Sequence, residues 1–116
     1  MVIGETKNIT LTFDTSIVTD LTDASVTSLK MHVAVGRRVL LKFKKGGGAG
    51  FDGDIIVDDT LKNRASVLIT EALSNRLVEG ILYAEVWLTQ LINGVSKTRA
   101  FDVKIVDGVV TKPIGG

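Results

Sequence analysis

The sequence predicts an all-β domain, an antiparallel sandwich of two sheets with one short helical turn between them. Three observations predict it. Apolar residues recur at period two in short segments, glycine-containing turn signals separate those segments, and an Asn93-Gly94 pair marks a tight hairpin between the last two.

Residues 8 to 13 alternate, with Ile9, Leu11 and Phe13 on one side and Thr10 and Thr12 on the other. From Leu29 the series continues through Met31, Val33 and Val35. Val26 is out of phase with it, which predicts a bulge near Thr27 or Ser28. Gly36 ends that segment. Residues 38 to 44 resume with Val39, Leu41 and Phe43 on one face and Arg38, Lys42 and Lys44 on the other. Residues 45 to 53, KGGGAGFDG, carry too much backbone entropy for a regular element and predict a mobile hairpin tip, with residues 46 to 50 dispensable for folding. Residues 54 to 57 and 65 to 70 each predict a short strand. In TEALSNRL, residues 70 to 77, a capping Thr70 precedes Glu71 and good helix formers, which predicts one turn crossing from one sheet to the other. Residues 80 to 91 form the longest strand and residues 99 to 106 the last. Residues 107 to 116 read as an extended tail outside the core, and the 116 residues as a single domain. The predicted core is Ile9, Leu11, Phe13, Met31, Val33, Leu41, Val67, Ile69, Leu82, Val86, Leu88, Val103 and Ile105.

Hydrophobic residues make up 45% of the chain and its mean hydropathy is +0.31, more apolar surface than a chain this small can bury within itself. The excess points to a partner surface. With 14 basic and 13 acidic residues the net charge is +1, too little to draw in a nucleic acid. No cysteine is present, so disulfides and thiolate metal sites are excluded. The leading MVIGETKNITLTF lacks a basic segment followed by an apolar run, so synthesis in a cytoplasm without secretion is expected, with Met1 as the native start. No apolar stretch approaches the roughly 20 residues that span a bilayer, so no membrane partner is expected.

Motifs that resemble chemical sites have simpler readings. The stretch from Gly48 to Gly53 spells G-x-G-x-x-G, but it leads into a strand-like segment, whereas a phosphate cradle must open a helix. Asp52, Asp54, Asp58 and Asp59 are interrupted by an apolar run and read as solvated strand ends rather than a calcium loop. His32 is the sole histidine and lies out of phase with the apolar series, facing solvent or a partner; no triad or zinc site can be assembled around it. Arg37, Arg38, Lys42, Lys44 and Lys45 lack the interleaved aromatic residues of a nucleic-acid platform. Neither catalytic, cofactor-binding nor metal-ligating residues are assigned, and no enzymatic activity is expected.

The strand over residues 80 to 91 is different. Leu82, Ala84, Val86 and Leu88 share one side; Ile81, Tyr83, Glu85, Trp87 and Leu91 lie on the other, where a half-buried sheet would normally be polar. Ile81, Tyr83, Trp87 and Leu91 are therefore the candidate interface, covered either by another subunit or by the glycine loop or chain terminus.

Two stretches carry a family resemblance. Asp20-Leu21-Thr22-Asp23-Ala24-Ser25-Val26 resembles the D-L-T-G-A-x-V approach to the second strand in a family of small phage virion domains, typified by the N-terminal domain of phage baseplate upper proteins. Residues 70 to 88 resemble that family's T-x-x-x-S/T-x-x-L-x-x-G-x-Y-x-Y-D-L-x-L at Thr70, Ser74, Leu77, Gly80 and Glu85, and the closing Val106-Asp107-Gly108-Val109-Val110 is similar too. Leu82 and Ala84 stand where the family has aromatic residues, and Asp23 where it has glycine. The resemblance implies an immunoglobulin-like β-sandwich in a virion, made in the bacterial host cytoplasm. There it would act as a connector or docking module of a tail, baseplate or head appendage, with other virion proteins and copies of itself as partners. A carbohydrate- or receptor-binding module, with Tyr83 and Trp87 as an aromatic platform, is the alternative.

Overall fold

The computed structural model describes residues 1–114, and it is an all-β sandwich of two packed sheets. The smaller sheet has the order β1-β6-β5, from β1 (Lys7–Thr12), β6 (Arg64–Ile69) and β5 (Ile56–Val57). The larger runs β4-β3-β2-β7-β8, from β4 (Gly53–Asp54), β3 (Arg38–Lys44), β2 (Val26–Val35), β7 (Gly80–Ile92) and β8 (Val95–Val103). A ninth strand, β9 (Val109–Val110), pairs with the start of β7. All pairings are antiparallel except β3 with β4.

The core lies between the sheets where period two places it. Ile9 and Leu11 of β1 and Val67 and Ile69 of β6 face Leu29, Met31 and Val33 of β2, Leu41 and Phe43 of β3, and Leu82, Val86 and Leu88 of β7. Val26 and Leu29 are both buried because the β2–β7 register shifts between Val26 and Ser28, the bulge that the phase break predicts. Thr70 caps α1 (Glu71–Ser74), its hydroxyl accepting from the Leu73 amide at 3.2 Å, and this turn carries the chain from β6 to β7 in the other sheet. Asn93 and Gly94, at φ 51° and 77°, form the two-residue turn that sets the β7–β8 register.

Five expectations are corrected. Residues 54 to 57 are not one strand: Gly53–Asp54 pairs with β3, buried Ile55 drops into the core, and Ile56–Val57 pairs with β6, so the chain changes sheets within four residues. Val39 does not share the face of Leu41. The β2–β3 register shifts between Val33 and Ala34, Leu40 becomes the extra residue, and Val39 turns outward opposite Ala34. The last long strand begins at Val95 and leaves the sheet after Val103, so Val103 and Ile105 pack only against the margin of the core; β8 is an edge strand. Residues 107 to 116 are not wholly a tail. Val110 is 2% exposed, the Met1 ammonium donates to the Val109 carbonyl at 2.6 Å, and Val2 bridges Thr111, so the two ends of the chain close the sandwich together. Residues 115 and 116 lie outside the described residues.

The glycine loop is the fifth correction, because it joins β3 to β4, which pair in parallel, and so is not a hairpin tip. Gly46, Gly47, Gly48 and Gly50 all have positive φ, between 65° and 122°. The Asp54 carboxylate accepts from the Gly46 amide at 2.6 Å, and Asp52 accepts from the Lys42 amide at 2.8 Å while its own amide donates back to the Lys42 carbonyl at 2.7 Å.

Candidate interaction surface

The outer face of the larger sheet is built by the cross-strand register, one row of side chains at a time. One row runs Lys44, Lys30, Trp87 and Ala100 across β3, β2, β7 and β8. The next runs Lys42, His32, Glu85 and Asp102. The third holds Val39, Ala34 and Tyr83. Alternation along β7 gives these residues the side opposite Leu82, Ala84, Val86 and Leu88.

Ile81 and Tyr83 are each 54% exposed and Leu91 is 47% exposed. Trp87 is half-buried: the His32 ring stands against it, centroids 4.6 Å apart and planes at 62°, an edge-to-face arrangement. Burial, with Lys42 and Lys30 adding to it and Glu85 opposing, holds the His32 imidazole below its ordinary range, so it is neutral at pH 7. A groove of about 370 Å³ opens between these groups, with Val39, Tyr83, Trp87 and Asp102 in its walls.

The four sequence-assigned interface residues thus share a face without forming one spot. At about 3.3 Å per residue, Ile81 and Leu91 are about 33 Å apart along the strand. Ile81 sits opposite exposed Val109 of β9, and Leu91 lies beside the hairpin tip with exposed Ile92 and Val95. Among the described residues, neither the terminus up to residue 114 nor the glycine loop covers the centre. The strand at 109–110 pairs edge-on with Gly80 and Ile81, and the loop brings Phe51 only as far as Lys30 and Lys44, whose ammonium groups stand 5.9 and 5.7 Å from its centroid.

No family model, curated protein or solved structure matches the chain.

The remaining motifs resolve into structural contacts. The G-x-G-x-x-G stretch leads into β4, and the amide that opens the loop is bonded to the chain's own Asp54. Three of the four clustered aspartates have separate surroundings: Asp52 pairs with Arg76, Asp54 holds the loop, and Asp58 pairs with Arg64 at 2.7 Å. Lys45 turns away from the other lysines to donate to the Leu21 carbonyl at 2.6 Å. Among the described residues no helix is long and apolar enough to cross a membrane.

Sequence reasoning placed Glu85 beside Tyr83 and Trp87 and Lys42 on the outer side of its strand, but did not bring them together with Lys30 and Asp102. The Glu85–Asp102 pair had a signal, since both stand equally far from the Asn93-Gly94 turn and a two-residue hairpin places them opposite each other. The lysines had none, because nothing local says that β2 pairs with β7.

Proposed function

We propose that the chain is a non-catalytic packing module of a bacteriophage particle, an immunoglobulin-like sandwich that serves as a connector or docking domain of a tail, baseplate or head appendage. The observation that carries the reading is the outer face of β7, where Ile81, Tyr83 and Leu91 stay about half exposed beside Trp87 although the inner face is fully packed. Aromatic residues in such a row are the types that most often anchor interfaces.

Four of the five motif positions in residues 70 to 88 behind the family resemblance have a structural duty. Thr70 caps the turn, and fully buried Ser74 accepts from the Gly4 amide at 2.9 Å. Leu77 is in the core, and Gly80 takes a φ of 144°. Asp20 and Asp23 each accept at 2.8 Å from the amide two residues on, shaping the loop that buries Leu21.

Sugar recognition would need a flat ring open to solvent. His32 occupies that role at Trp87, which leaves Tyr83 alone, so packing is preferred over a carbohydrate platform. The test is to purify particles on a density gradient from lysates of the source culture and quantify this chain by mass spectrometry. Co-migration with the particles in a fixed copy number is expected. Its restriction to the soluble fraction would overturn the assignment.

A further inference from the structure

We propose that the outer face of the larger sheet pairs with the same face of a second copy of this chain, about a two-fold axis lying along the seam between β2 and β7. This rests on the packing reading of that face and names its partner.

The charge layout carries the inference. Lys30 and Lys44 stand directly opposite each other on neighbouring strands, and so do Glu85 and Asp102. Like charges opposite one another in a sheet are destabilising. The ion pairs among the described residues are Arg64–Asp58, Arg76–Asp52 and Lys112–Glu79, so none of these four groups, nor Lys42, forms a direct ion pair within the chain. The lysines lie on β3 and β2 and the carboxylates on β7 and β8, with the seam between them. Over β3, β2, β7 and β8 the face is positive on one side of its midline and negative on the other, with Asp54 of β4 beside Lys44 at the positive margin.

A half-turn about an axis parallel to the strands keeps each row level and exchanges its two ends. It lays β2 over β7 of the second copy and β3 over β8. Lys42 then meets Asp102 of the second copy, and His32 meets Glu85. Lys30 comes level with Trp87 of the second copy, whose ring already carries His32. Tyr83 lies over Ala34, a large side chain over a small one, which suits interdigitated sheets about 10 Å apart. Lys44 is one same-face step, about 7 Å, from its carboxylate, within reach of an extended lysine. The other two-fold arrangement, with the axis across the strands, would set β2 on β2 and bring lysines against lysines. A second copy turned along the strands is therefore a partner whose charges this face matches.

Sedimentation equilibrium with charge exchange tests it. Wild type is expected to be a dimer. Lys42→Asp and Asp102→Lys should each raise the dimer dissociation constant about tenfold or more, and the double exchange should return it to within about threefold of wild type. Ala34→Arg, which places a long side chain where Tyr83 must sit, should give a monomer; circular dichroism verifies that each variant is folded. A monomeric wild type overturns the proposal, as do single exchanges that leave the constant unchanged or a double exchange that fails to restore it. A monomer that is nonetheless a fixed component of particles would remove the two-fold pairing and leave the packing function standing. A dimer absent from particles would do the reverse.

Discussion

Gly80 opens β7 at a φ of 144°, and a Cβ built there would stand 2.6 Å from Val35 Cγ1. Both facts arise from one junction: the chain leaves the helical turn, swings into the larger sheet and must pass close against the end of β2. Val110 pairs with Gly80 at the same place, so the junction also anchors the C-terminal strand. Gly80→Ala meets backbone strain and a clash together, and is expected to cost about 1–3 kcal/mol in urea unfolding. An unchanged midpoint would mean that the junction relaxes freely. Gly94 is a useful contrast, since its φ is also positive but no atom lies within 4 Å of its added Cβ, so only the strain applies.

The connections between strands depend on aspartates. Asp14 and Asp23 are held below the usual carboxylate range chiefly by the amides of Ser16 and Ser25, and Asp20 chiefly by the Thr22 hydroxyl. Asp58, between β5 and β6, is lowered to about 2 by the Leu61 amide first, then by Arg64 and the Thr60 amide. A carboxylate with a depressed folded-state pKa stabilises the fold fully above its unfolded value, and the contribution fades as pH falls through the folded one. For Asp58 that window runs from 3.8 down to about 2. The urea midpoint of wild type is expected to drop across this range. Asp58→Asn keeps an acceptor for the two amides but cannot titrate, so its midpoint should change less between the same two pH values. Parallel curves for the two proteins would remove Asp58 from the account. The base of the glycine loop is held in the same way: Asp52 and Asp54 bond across it and align β4 with β3, which delivers Ile55 to the core.

As a whole the molecule is long, 55 Å by 26 by 22 Å, with a radius of gyration of 14.9 Å. A compact chain of this length would have about 13 Å. The 13-residue β7 and its hairpin partner β8 account for the length, and an elongated shape has more surface to cover than a round one. Apolar side chains therefore remain outside a sandwich whose interior is already full. Adjacent positions on β7 separate the two faces. Leu88 is fully buried, and Leu88→Ala is expected to cost about 2–5 kcal/mol. Trp87→Glu acts on the outer face, where the new carboxylate would lie opposite Lys30, so the fold should persist by circular dichroism. Unfolding of the Trp87 variant would place that ring in the domain's own core.

The sequence by itself determined which face of most strands is buried, that the chain crosses between sheets at the Thr70 turn and how the Asn93-Gly94 hairpin is registered. Each of these follows from local rules: period two along a strand, a capping Thr70 before Glu71, and residues that tolerate positive φ in a tight turn. It also placed Ile81, Tyr83, Trp87 and Leu91 on one side of β7, since alternation needs no knowledge of neighbours. Only the tertiary structure decided the rest. Leu40 is bulged by pairing with β2, which turns Val39 outward without any residue type that signals it. Ile55 is buried by both sheets at once, so its four-residue segment is divided between them. Val110 is a core residue because Met1 and Val2, more than a hundred positions away, lie against the last strand. The opposed charges of the outer face exist only because β2 pairs with β7, and a pattern read along one strand carries no information about which strand lies beside it.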